Sequence, residues 1–195
     1  MVEIDIVPFN EFNAPGARLR DLFPECIIND VILIQDKDAK EHAQACKSRL
    51  ISLNQEFDQS LGNSKHAVII TDAAVPLLST GHQAVAARHV WYKGLLISSD
   101  WPAGGLALSN DTETFAIAGG FSALSDLVDL SDIEEIHVFS DSTNAIKHAL
   151  DPSIHSAQER ALETLFLITP WIERNNNHIF FHYVPDSAFF FFFCQ

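Results

Sequence analysis

Two short apolar runs in this chain each end on an aspartate. Ala67-Val68-Ile69-Ile70-Thr71 runs into Asp72, and Ile136-His137-Val138-Phe139-Ser140 runs into Asp141. Runs of this length, rich in β-branched and aromatic residues, read as strands. Between them, at about 111–129, Ile117, Phe121, Leu124 and Val128 recur at spacings of 4, 3 and 4, the period of one helix face. A helix that carries the chain from one strand to a parallel partner constrains the topology strongly, because such crossovers are right-handed and their helices pack on the sheet.

Glu113 lies four residues before Ile117 and therefore shares the buried face, one turn from the helix start. A carboxylate turned toward a core costs several kcal/mol unless it is paired or metal-bound. Each acid alone has an ordinary structural reading. Asn110 can serve as N-cap with Glu113 three residues on, and Asp141 can cap a helix starting near Ser142. Asp72 suits a strand end. Their joint placement says more: two adjacent parallel strand ends and one helix start meet at the edge where open α/β sheets place their ligands. Three converging anions call for a divalent cation.

The remaining pattern fills in a domain from His66 onward. Strands are expected at Ala67–Ala73, Ala84–Tyr92, Leu95–Ser99, Glu135–Ser140 and His178–Val184, with Lys93-Gly94 turning the second into the third. The stretch Pro102–Gly105 reads as a loop. A short helix is expected at Ser142–Leu150 and a longer one after Ser156, whose pairing with Glu159 makes a capping box. Pro170 should kink or split that helix. The expected architecture is α/β, a mixed five-stranded sheet, its first three strands antiparallel and the rest parallel, flanked by helices.

Residues 1–65 form a lead-in with a short strand at Ile27–Ile34 and a helix at about Ala39–Leu61, where Cys46, Leu50, Leu53 and Phe57 make one apolar face. That segment reads either as a linker and helix from a larger polyprotein or as packing against the domain at 66–187. Residues 188–195 are a separate apolar tail, with five phenylalanines at Phe189–Phe193; it reads as a damaged or out-of-frame terminus, against the alternative of a buried edge strand.

Composition narrows the function classes. The start Met1-Val2-Glu3-Ile4-Asp5 is acidic where a secretory signal is basic, and no apolar stretch approaches the roughly 20 residues of a membrane span. Cys26, Cys46 and Cys194 form no CxxC pair, which points to reduced thiols and an intracellular setting, cytoplasm or nucleus. His137 reads as a hydrogen-bonded core histidine. With no HxH among His82, His89, His148, His155, His178 and His182, and with the one HxxxH pair, His178 and His182, on an expected strand, a zinc site is not expected. No GxGxxG or GxxxxGK[ST] is present to cradle a nucleotide. Trp91, Trp101 and Trp171 read first as packing residues, with base stacking as the alternative. The formal charge is −14, and residues 66–195 hold five cations against 15 acids. That is the reverse of the usual basic footprint of a nucleic-acid binder.

Thr71-Asp72-Ala73-Ala74, Thr112-Glu113-Thr114-Phe115-Ala116-Ile117 and Phe139-Ser140-Asp141-Ser142 together resemble the three motifs of the ribonuclease H family, and most of all the ribonuclease H-like domains attached to retroelement reverse transcriptases. The resemblance spans about His66–Pro185, with separations of 41 and 28 residues between the acids. It implies that Asp72, Glu113 and Asp141 are catalytic and coordinate two Mg²⁺ ions, for which Mn²⁺ can substitute. One ion would activate a water and the other stabilise the leaving 3′ oxygen as the RNA strand of an RNA–DNA hybrid is cut. It also implies substrate contacts from Ala73, Ser142 and Asn144, and a reverse transcriptase domain of the same polyprotein as partner. The sequence departs from the family in three places. Ala73-Ala74 stands where Gly-Ser is usual, and Gln83-Ala84-Val85-Ala86-Ala87 replaces a glycine-rich strand. No fourth ligand is visible, since Asp186 lies too close behind the last strand and polyphenylalanine follows it. The alternative is a catalytically degenerate ribonuclease H-fold module with a structural or interaction role. A metal-dependent phosphatase would want a DxD motif, which Asp72-Ala73-Ala74 lacks.

Overall fold

The computed structural model describes residues 23–30, 39–76, 82–105, 107–153, 155–175 and 177–184. In chain order they form β1 (Ile27–Asp30), α1 (Ala39–Gly62), β2 (His66–Ala74), β3 (Ala84–Tyr92), β4 (Leu95–Asp100), β5 (Ala103–Gly105), α2 (Ser109–Leu127), β6 (Glu135–Ser140), α3 (Thr143–His148), α4 (Gln158–Asn175) and β7 (His178–Tyr183). The strands make one mixed sheet in the order β1-β7-β6-β2-β3-β4, with β5 also on β3. β2, β3 and β4 run antiparallel in succession, while β2, β6, β7 and β1 are mutually parallel.

The sheet thus has seven strands rather than five. β5, an Ala-Gly-Gly segment read as loop, pairs with β3 through Ala84↔Gly105 and Val85↔Ala103. It carries no alternation or β-branched residue to announce it, and the backbone pairing alone defines it. β1 belongs to the lead-in and adds in parallel to β7, Ile27 opposite Ile179. Between β3 and β4, Lys93 (φ 52°) and Gly94 (φ 71°) are both left-handed, as a two-residue hairpin turn of matching twist requires.

Alternation along β2 sends its side chains into two separate cores. Ala67 and Ile69 face α2, α3 and α4, where Ile117, Phe121, Leu124, Ala145, Ile146, Ile168, Trp171 and Ile172 pack with Val90, Ile136 and Val138. Val68 and Ile70 face α1, which lays Leu53 and Phe57 over them together with Phe139 and Val184. Phe57 meets Trp91 and Phe139 edge-on at 5.8 and 5.9 Å, the geometry preferred by aromatic quadrupoles. Each fully buried side chain of this size contributes about 1.5–3 kcal/mol. Trp171 is a core residue whose Nε1 donates to the carbonyl of Ile133 at 2.9 Å, whereas Trp101 is 59% exposed.

Helix α2 crosses the sheet at close range because two consecutive glycines face it. A Cβ on Gly120 would stand 2.4 Å from Ile69 Cγ2, and one on Gly119 would overlap the Arg88 guanidinium. Arg88 in turn reaches Asp100 on β4 through Nε at 2.5 Å and Nη2 at 2.7 Å. Two local expectations, both about caps, fail on contact with the structure. The residue preceding α2 is Leu108, so Asn110 lies inside the first turn, its carbonyl accepting from Thr114 Oγ1 at 2.8 Å. Ser156 donates to Asp111 on α2, tying α4 to α2, and makes no capping box with Glu159. α4 continues through Pro170 to Asn175. The polyphenylalanine tail and Asp186 lie outside the described residues, as does any continuation of the Ile27–Ile34 strand past Asp30.

Candidate metal centre

The pairing of β2 with β6 ends at Thr71↔Ser140, so Asp72 and Asp141 are the next residue on each of two adjacent parallel strands. Thr71, fully buried, donates from Oγ1 to the carbonyl of Phe139 at 3.4 Å and pins the two strand ends together. α2 runs back over this edge with Glu113 one turn after its first residue, Ser109, and only 3% exposed. One oxygen from each of Asp72, Glu113 and Asp141 lies within 4.8 Å of the others, with Glu113 buried and the two aspartates half-buried. Hard carboxylate oxygens converging from three elements fit Mg²⁺ or Mn²⁺ rather than a thiophilic metal.

The backbone around the aspartates is held locally. Asp72 Oδ1 accepts from the N–H of Ala73 at 2.8 Å. Ser140 Oγ accepts from the N–H of Ser142 at 3.2 Å. Ser142, not Asp141, caps α3: its Oγ accepts from the N–H of Ala145 at 3.1 Å. A hydroxyl one residue further on does the capping, and the Asp141 carboxylate turns to the cluster. Asn144, on the first turn of α3, is exposed. Of the residues singled out in the sequence, the three acids meet, Ser142 and Ala73 flank them, and Asn144 stands in the solvent beside them.

A second constellation, unannounced by any residue spacing, lies at the opposite, N-terminal edge of the same strands. His66, Glu135 and His137 each bring one ligand atom within 4.8 Å of the others. His66 opens β2 opposite Glu135 on β6, and His137 follows two residues later on the same face. His137 is buried, its Nδ1 3.1 Å from His182 Nε2 on β7 and its ring stacked on Phe180 at 4.7 Å. Burial, with His182 and His66 as like-signed neighbours, pulls its pKa down to about 3. Its 3.2 Å contact with Glu135 Oε2 is therefore that of a neutral imidazole. A search for close sequence spacing passes over this group, because its members come together only through strand register.

No protein-family model matches the chain, and no curated protein matches it in sequence. Solved structures do match in shape. The N-terminal RNase H domain of a Mycobacterium tuberculosis protein, solved as a fusion with maltose-binding protein, superimposes with a TM-score of 0.50 at 17% identity, over 64% of this chain and 91% of that one. RNase H1 from Halobacterium salinarum gives 0.48 at 15% identity over 64% and 89%. LC11-RNase H1 in complex with an RNA/DNA hybrid gives 0.46 at 16% identity over 62% and 86%. The chain contains a ribonuclease H-like domain in fold. Among the described residues no helix is long and apolar enough to cross a membrane.

Proposed function

We propose that this chain carries a ribonuclease H-type endonuclease domain of retroelement descent, which cuts the RNA strand of RNA–DNA hybrids with Mg²⁺. The observation that carries the reading is the meeting of Asp72, Glu113 and Asp141 within 4.8 Å at the carboxyl edge of β2 and β6, in a fold of ribonuclease H type. Divalent ions at such a site supply an activated water and neutralise charge at the departing 3′ oxygen. The chain's own contribution is placement. The strand ends fix the two aspartates, the α2 start brings in Glu113, and the buried Thr71 bond keeps the strands from parting. Ala73 commits its N–H to Asp72, so any substrate contact from it is made by the carbonyl or methyl. Asn144 offers an exposed amide to a sugar–phosphate backbone.

A second reading, a ribonuclease H-fold module without turnover, is favoured by the charge of residues 66–195, where 15 acids face five cations. Such a surface repels the phosphates that normally dominate affinity. The full chain incubated with a labelled RNA–DNA hybrid and Mg²⁺ separates the two. The nuclease reading predicts hybrid-specific cleavage that falls at least about a hundredfold in Asp72→Asn, the scale expected when essential catalytic electrostatics are removed. No cleavage, or cleavage undiminished in that variant, leaves the module.

A further inference from the structure

The cluster at the N-terminal edge of the sheet turns two imidazole nitrogens and a carboxylate oxygen toward one another. Asn63, in the turn between α1 and β2, accepts the N–H of Lys65 on Oδ1 at 3.0 Å, which fixes the orientation of its amide. Its Nδ2 is thereby the atom facing His66 Nε2 at 2.8 Å, and an amide nitrogen can only donate. Nε2 of His66 therefore presents a lone pair, and 3.2 Å away stands Glu135 Oε2, also an acceptor. The same carboxylate oxygen is 3.2 Å from His137 Nε2. When His137 donates from Nδ1 to His182 Nε2, a third lone pair joins the other two. In that tautomer three acceptors face one another and a cation between them satisfies all three, whereas in the other His137 donates from Nε2 to Glu135.

We propose that His66, Glu135 and His137 form a second metal site, taking a borderline transition ion of the zinc class, which clamps the start of β2 to the start of β6. The donor set of two imidazoles and one carboxylate suits Zn²⁺ or Co²⁺ and is poor for Mg²⁺. Metal–nitrogen bonds of roughly 2.0–2.1 Å at tetrahedral angles put neighbouring donors roughly 3.3 Å apart. Both nitrogen-to-carboxylate separations here are 3.2 Å. His182 completes the arrangement as the residue that holds His137 in the ligating tautomer, the usual outer partner of a metal-bound histidine.

The surroundings are rigid where a ligand set needs rigidity. The backbone N–H groups of Glu134 and Glu135 both donate to the carbonyl of Lys65, at 2.8 and 3.4 Å, and Lys65 and Glu134 pair through their side chains. His137 is 5% exposed in its side chain, His66 17% and Glu135 30%, so ions enter from the Glu135 side and the fourth position faces solvent. Metal at His66 displaces the Asn63 amide. The site is six residues along β2 from Asp72, roughly 20 Å in an extended strand, and is independent of the carboxylate trio.

Cobalt is the probe, because tetrahedral Co²⁺ with nitrogen ligands absorbs in the visible. The full chain, stripped with chelator and titrated with Co²⁺, is expected to take up one ion with visible bands, and one equivalent of Zn²⁺ should bleach them and raise the melting midpoint. His66→Ala and Glu135→Gln should each abolish the bands and the rise, while Asp72→Asn keeps both. Glu135 is partly exposed, so Glu135→Gln tests the site even where His66→Ala perturbs folding. The proposal is overturned by a wild-type chain without visible bands. Bands and a Zn²⁺-induced rise that survive in Glu135→Gln overturn it equally.

Discussion

Glu113 is the residue on which the account turns. Its side chain is almost wholly buried and lies within 4.8 Å of two aspartates. Like charges at that range repel, and burial weakens the solvent screening that would soften them. On the proposed reading such a cluster costs stability and is kept for metal binding, which gives a prediction of unusual sign. In chelator, Glu113→Gln should be more stable than the wild type to denaturant by about 1 kcal/mol, the range seen when strained functional sites are relieved. Loss of stability instead would mean that Glu113 is a structural anchor. The three acids were legible in the sequence because strand ends and helix phase are local properties. The residue that caps α3 was not. Asp141 and Ser142 are both good caps, and only backbone geometry assigns the role to Ser142. The histidine cluster was illegible for a different reason. Its three ligands are set by the register His66↔Glu135, which no sequence spacing encodes.

Among the elements, α2 does most to build the carboxylate site. It joins the antiparallel and parallel halves of the sheet, and its approach to β2 is set by Gly119 and Gly120. Glycine inside a helix costs about 1 kcal/mol relative to alanine, so its presence twice in succession marks a packing demand. Gly120→Ala should destabilise the chain by about 1–3 kcal/mol, because Ile69 Cγ2 stands 2.4 Å from the new methyl and is itself held in a filled core. The same shift should lift Glu113 from the aspartates and lower hybrid cleavage. A stabilised Gly120→Ala chain, measured by denaturant midpoint, would show that α2 has room to spare. The helix was readable from the 4, 3, 4 spacing of Ile117, Phe121 and Leu124. Its start was misplaced because Asn110, a good cap by type, sits two residues past the cap position, inside the first turn. β5 was missed since three small residues carry no pattern at all.

At the scale of the whole molecule, the parallel strands hold an acidic cluster at one edge and a histidine–carboxylate cluster at the other. α1 covers one face of the sheet and α2, α3 and α4 the other. β1 extends the sheet beyond β7, so the described part of the lead-in is built into the same sheet and cores as the domain that follows. The order of strands and the crossover were legible from apolar runs and turn residues, whereas β1, on the far edge beside the last strand, depends on a pairing across some 150 residues of chain. The central claim is that Asp72, Glu113 and Asp141 form one divalent metal centre, and calorimetric titration with Mn²⁺ tests it most directly. In a His66→Ala background, which silences the second cluster, the account predicts Mn²⁺ binding that disappears on adding Asp72→Asn, Glu113→Gln or Asp141→Asn singly. Mn²⁺ binding indifferent to all three substitutions, or no binding at all, would contradict it.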